Sequence, residues 1–157
     1  MTSLVAASDD LDPGLILRVA AGEGIEIAPA LLGEVDRGCA AAREVLRRGD
    51  PVYGVNTGMG ALAGVRLSEA EQLAHQRNLM LARATGGPPW LDAADARALI
   101  AVRLRTFLSG DSGVSAGLCQ RLADVLDQGV VPAIPRAKIP AGARCPRRTA
   151  GPPRSGR

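Results

Sequence analysis

The residues best suited to chemistry in this chain lie in Pro51-Val52-Tyr53-Gly54-Val55-Asn56-Thr57-Gly58-Met59-Gly60. The stretch holds the sole tyrosine, followed by Gly54, Gly58 and Gly60 and by two short polar side chains, Asn56 and Thr57. Glycine tolerates positive φ and close backbone approach, so this spacing describes a bent loop whose amides can face a ligand. Such a loop can present a phenol into a cavity, or it can be a connector with one half-buried tyrosine. The pattern is not a dinucleotide fingerprint, because no hydrophobic strand of adequate length precedes it and the glycine spacing differs.

Little else in the composition offers chemistry. Cys39, Cys119 and Cys145 are odd in number and widely spaced, with no CxxC pair and no disulfide framework. With His75 as the one histidine, the sequence implies no metal site. His75 reads as a solvated helix residue without a role. No apolar run approaches a membrane span and the N-terminus lacks a leader pattern, so the expectation is a cytoplasmic protein with no membrane partner. The net charge of +3 hides an asymmetry. Residues 1–135 carry 12 arginines against 16 acidic residues, whereas residues 136–157 carry six arginines, the sole lysine Lys138 and no acid. That basic end is rich in Pro, Gly and Ala and reads as a disordered tail. Its charge suits weak, salt-dependent binding to nucleic acid, but the sequence has no aromatic interleaving and no known module to support this partner.

The elements that must position the loop are helical. Residues 1–10 read as a flexible N-terminus. Asp12-Pro13 opens a helix to about Ala21, and Ile25-Glu26-Ile27 alternates like a short strand. Pro29 opens a helix over about 29–48, with Leu31, Leu32, Val35, Cys39, Ala42, Val45 and Leu46 as its apolar stripe. Gly49-Asp50-Pro51 breaks it and delivers the chain to the tyrosine loop. Ser68 and Glu71 form a capping box for a helix to about Ala84, which Gly86-Gly87-Pro88-Pro89 ends. Asp92 caps a helix over about 93–108 that carries Leu99, Ile100, Val102, Leu104, Phe107 and Leu108. A final helix spans about 115–128, and the prolines keep residues 130–135 extended.

Four stretches in order resemble the histidine/phenylalanine/tyrosine ammonia-lyase family. Tyr53-Gly54-Val55-Asn56-Thr57-Gly58-Met59-Gly60 resembles its tyrosine loop, usually Tyr-Gly-(Val/Ile)-Asn-Thr-Gly-Phe-Gly. Gln76 to Gly86 resembles its Gln-x-x-Leu helix, which ends at a substrate-selecting pair. Leu108-Ser109-Gly110-Asp111-Ser112-Gly113-Val114 and Gly129-Val130-Val131-Pro132-Ala133-Ile134-Pro135 complete the set. The resemblance covers about residues 11–135. It implies a mostly α fold, the N-terminal portion of the helical lyase fold with short extended segments, in an enzyme that assembles as a homotetramer. The implied activity is non-oxidative elimination of ammonia from an aromatic amino acid, or its shift to the β-carbon. Tyr53 is implied as the β-proton base, and Ala82 and Arg83 as the pair that meets the substrate side chain. No external cofactor is implied, because the family's methylidene-imidazolone (MIO) electrophile forms from an internal Ala-Ser-Gly.

This sequence departs from the family in several places. Ala82-Arg83 matches none of the usual selecting pairs. Arg83 can receive an anion through a bidentate contact, or reach solvent at a helix end that favours a cation. Arg105 stands where relatives usually have asparagine, Ser115 where they often have a basic residue, and His75 where leucine is usual. No Ala-Ser-Gly tripeptide occurs anywhere. The match stops at about Pro135, and the change of composition there leads us to expect a truncated or frameshifted product. Resequencing the codons around 134–138 tests this, and a clean frame with no hidden continuation would exclude it. The chain alone is therefore expected to be inactive. The alternative is a non-catalytic subunit that packs on a full-length relative.

Overall fold

The computed structural model describes residues 1–84 and 86–136. The basic tail from residue 137, with Lys138 and Cys145, lies outside the described residues, as does Thr85. Five α-helices are present among the described residues, α1 Pro13–Ala20, α2 Pro29–Arg47, α3 Glu69–Arg83, α4 Ala93–Leu108 and α5 Ala116–Asp127. Helices α1 and α4 open on a local cap and α5 on a distant one. The Asp12 carboxylate accepts from Leu15 N at 2.7 Å and Pro13 follows at the first helical position. Asp92 accepts from Asp95 N at 2.8 Å to open α4. Ser115 gives α5 no side-chain cap, and Asp36 of α2 reaches across instead to accept from Ala116 N at 2.8 Å.

The first ten residues differ from the expectation of a flexible end. Thr2–Val5 form strand β1, paired in parallel with β2, Gly24–Ile27, in the register Thr2↔Gly24 to Val5↔Ile27. Val5 and Leu11 are fully buried, and the Arg105 guanidinium on α4 binds Asp9 at 2.6 Å. Polar composition concealed a strand whose apolar contribution is one valine, made stable by its partner strand.

Helices α1, α2, α4 and α5 and the two strands enclose a core of aliphatic side chains, with Leu15, Val19, Ile100, Leu104 and Leu126 in one buried cluster. Cys39 is buried in α2 as a small apolar residue, as the sequence suggested. The α2 stripe runs into the core only as far as Cys39. Val45 is exposed, and so, on α4, are Leu99 and Val102. The buried stripe of α4 is instead Ala96, Arg97, Ile100, Ala101, Leu104 and Leu108. The extended end found a partner: Leu91 N donates to Ile134 O at 2.8 Å and Arg136 N to Pro89 O at 2.8 Å.

Arg97 is the charged residue of that stripe and is 5% exposed. Its Nε donates to Val19 O at 2.7 Å, Nη1 to Leu126 O at 2.8 Å and Nη2 to Glu23 O at 2.8 Å. Val19 and Leu126 lie in the last turns of α1 and α5, where the dipole is negative, and their carbonyls also accept from Gly22 N at 3.0 Å and Gly129 N at 3.3 Å. Hydrogen bonds to a charged group contribute about 1.5–3 kcal/mol each. Arg97→Ala should therefore lower unfolding free energy in urea by about 3 kcal/mol or more. Arg97→Lys, whose ammonium lacks the planar fork, should recover only part of the loss.

Candidate active-site loop and helix

The tyrosine loop joins α2 to α3 and is tied up within itself. Asn56 and Thr57 are buried, and each acts as an internal brace. Asn56 Oδ1 accepts from Val52 N at 2.8 Å while Nδ2 donates to Asp50 O at 2.7 Å. Thr57 Oγ1 accepts from Gly54 N at 3.3 Å and donates to Gly58 O at 3.1 Å. The chain then returns alongside itself, with Gly58 N donating to Val65 O at 3.0 Å and Leu67 N to Asn56 O at 3.0 Å.

The glycines are required at specific points. Gly54 and Gly60 have φ of +71° and +58°, where L side chains are strained. A Cβ on Gly58 would lie 2.5 Å from Leu62 O. The amides do not form an open cradle for a ligand, which corrects the expectation from the sequence. Those of Gly54, Val55, Asn56, Gly58 and Gly60 all have partners within the loop.

The partner of Gly60 N is the Tyr53 hydroxyl oxygen, at 3.2 Å. Tyr53 is 61% exposed, so the phenol stands at the surface with its oxygen held by one backbone donor. The remaining side of the Oη is open to solvent.

Helix α3 borders the loop. Gln76 Nε2 donates to Gly54 O at 2.7 Å, and Gln72 Nε2 to Leu67 O at 3.0 Å. Arg83 Nη2 lies 3.6 Å from Met59 Sδ, and the Met59 side chain lies against Gly54. Of the two positions suggested for Arg83, it therefore takes neither in full: it is exposed, but it is turned onto the loop. Ala82 is exposed beside it. The structure thus brings Tyr53, Gly54, Asn56, Thr57, Gly58, Gly60 and Arg83 into one loop-and-helix unit. Two shallow depressions flank α3, one of about 590 Å³ lined by Val55, Leu73 and Gln76 among others, and one of about 430 Å³ lined by Gln76, Leu79, Met80, Arg83 and Ala84. Tyr53 lines neither.

His75 differs from the solvated residue expected. It is half-buried, and its Nε2 is shut off from solvent without a hydrogen-bond partner among the described residues. Among the described residues no group of three or more His, Cys, Asp or Glu side chains is placed to hold a metal. No described helix is long and apolar enough to cross a membrane.

With this geometry in view, the likeness to known proteins is specific. The family model described as aromatic amino acid lyase matches residues 11–137. The chain belongs to the aromatic amino acid lyase family. It is 39% identical over 137 residues to a histidine ammonia-lyase of Streptomyces avermitilis, covering 85% of this chain and 25% of that protein. A histidine ammonia-lyase of Anaeromyxobacter dehalogenans is 36% identical over 136 residues, covering 86% and 27%. Among solved structures, the ergothioneine-degrading ergothionase of Treponema denticola matches with a TM-score of 0.79 at 26% identity, over 88% of this chain and 28% of that one. Tyrosine aminomutase from Streptomyces globisporus matches with a TM-score of 0.76 at 27% identity, over 85% and 26%. This lyase-family chain thus spans about a quarter of the length of the curated relatives it matches.

Sequence reading located the loop and missed its internal bracing. The signal for Asn56 was its position six residues after Asp50, at a chain reversal; only the fold shows that its amide closes the turn. Asn56→Ala should cost about 1–3 kcal/mol of local stability, read as faster amide hydrogen exchange across residues 52–67 than in α4. The helix cap makes a second prediction. The Ser68 hydroxyl and then its amide hold the Glu71 carboxyl below its ordinary range. A lowered folded-state pKa places the stabilisation above the unfolded value and removes it as pH falls through the folded one. The amides of residues 68–72 should lose protection on acidification in that window, and Ser68→Ala should move the Glu71 titration upward toward its ordinary value.

Proposed function

We propose that this chain supplies the base-bearing N-terminal segment of an amino acid ammonia-lyase or aminomutase, with Tyr53 taking the β-proton of the substrate. The observation that carries this reading is the presentation of the Tyr53 phenol, exposed on a glycine loop with its oxygen fixed by Gly60 N, within a segment matched by the family model. The proton passes from the substrate β-carbon to Tyr53 Oη, and the Gly60 N–H balances the oxygen as it gains and loses charge. Gln76 holds the loop carbonyl at Gly54 and so fixes the loop's seat on α3. Ala82 and Arg83 meet the substrate side chain. The Ala-Ser-Gly from which the family's electrophile forms does not occur in these 157 residues. No elimination step can therefore be assigned to these 157 residues alone.

A second reading is favoured by the exposed apolar side chains of the loop-and-helix unit. Helix α3 buries no residue, and Leu62, Leu73, Met80 and Leu81 are all well exposed. In this reading the chain packs on a full-length relative as a non-catalytic subunit, within an assembly that is a homotetramer in the family. Capture of an intact lyase from the source cells by the tagged chain supports it; a soluble monomer that captures none counts against it.

The base assignment has a direct test. Residues 11–135 replace the matched segment of the Streptomyces avermitilis relative, and ammonia release is measured across a panel of amino acids. Tyr53→Phe in that chimera should lower kcat by about 10²- to 10⁴-fold, the range for loss of a positioned general base. An unchanged kcat would remove Tyr53 from the mechanism. The purified 157-residue chain should form no cinnamate, coumarate or urocanate.

A further inference from the structure

The guanidinium of Arg83 touches the tyrosine loop from α3, and among the described residues it has no carboxylate partner. Its recorded partner is Met59 Sδ at 3.6 Å, a weak acceptor, and no ion pair among the described residues involves it. The surroundings contain no acid that could reach it along the chain. Residues 51–68 and 72–91 hold no Asp or Glu. The nearest acid on α3 is Glu71, 12 residues away, or roughly 18 Å along the helix axis. Arg83 also lines the depression of about 430 Å³ whose other walls, Leu79, Met80 and Ala84, are apolar, with Gln76 as the polar exception. Met59, which Arg83 touches, is the direct neighbour of Gly60, whose amide holds the Tyr53 oxygen.

We propose that Arg83 selects an amino acid whose side chain carries an anionic group, a carboxylate in the simplest case. This rests on the reading of the loop and the end of α3 as the substrate site. A neutral aromatic side chain laid on Leu79 and Met80 offers the guanidinium only its ring face. A side-chain carboxylate placed there accepts two parallel charge-assisted N–H bonds from the fork, which is the stronger contact. The α-carboxylate cannot supply such discrimination, because every amino acid carries one.

The test uses the full 157-residue chain, uniformly ¹⁵N-labelled, with 4-carboxy-L-phenylalanine and L-phenylalanine as probes. The carboxylated probe should shift the Arg83 Nε–H resonance and the amides of Met59 and Gly60, and bind about tenfold or more tightly than L-phenylalanine. Arg83→Gln should abolish that preference; the residue is exposed on a helix end, so the fold does not depend on it. Arg103→Gln, an exposed arginine on α4, should leave the preference intact. Equal affinities for the two probes, no shift from either, or equal loss in the Arg103→Gln control would each overturn the proposal. The readout is binding, so it is separate from the base assignment. No preference in the unsubstituted chain beside a Tyr53-dependent chimera overturns the anion selectivity alone, and the converse overturns the base alone.

Discussion

The packing of this chain depends on where three backbone carbonyls find their donors. The last turns of α1 and α5 and the turn into β2 all point carbonyls at the same buried spot, and Arg97 of α4 fills it with one planar fork. A guanidinium suits the task because its donors diverge in a plane and each helix end presents partial negative charge. No other polar side chain has enough donors in fixed directions to serve three carbonyls. The aliphatic core contributes non-directional stabilisation around this point, while Arg97 fixes which ends meet. The approach of α2 to the turn after α4 is similarly exacting: a Cβ on Gly38 would lie 2.3 Å from Gly110 O.

Against that fixed body the loop-and-helix unit is built differently. Its order comes from hydrogen bonds within residues 50–67 and from Gln72 and Gln76, not from burial of α3. Helices in water draw most of their stability from packing an apolar face, so α3 relies on its Ser68–Glu71 box and on the loop. The packed body thus carries a self-braced loop with few buried contacts. Leu73 at 78% exposure and Met80 at 76% give the unit an apolar surface.

The bracing changes how the glycines are understood. Three of them permit a loop in which nearly every amide is already committed, and the phenol is the group left facing outward. The backbone therefore holds the phenol oxygen of Tyr53 rather than forming an open amide cradle. Arg83 extends the same logic. Its long side chain is turned back onto Met59, so the charge lies over the loop it flanks.

The sequence by itself determined the local features: where helices begin and end, the Asp12, Ser68 and Asp92 caps, the bend after Gly49, the short strand at Ile25–Ile27, and the family through motifs in order. Those follow from short-range hydrogen bonding and backbone preference, which a few adjacent residues specify. Tertiary structure decided what depends on distant partners. Thr2–Val5 became a strand only because β2 lies beside it, and Asp36 became the cap of a helix that starts 80 residues later. Arg97 became a core residue because three carbonyls from separate elements converge on it. Its spacing from Ala101 and Leu104 on the buried face was a legible hint, but charge argued the other way until its acceptors were in view. Val45, Leu99 and Val102 had apolar type and helical spacing yet stay exposed, because periodicity gives a face and only packing says whether anything covers it.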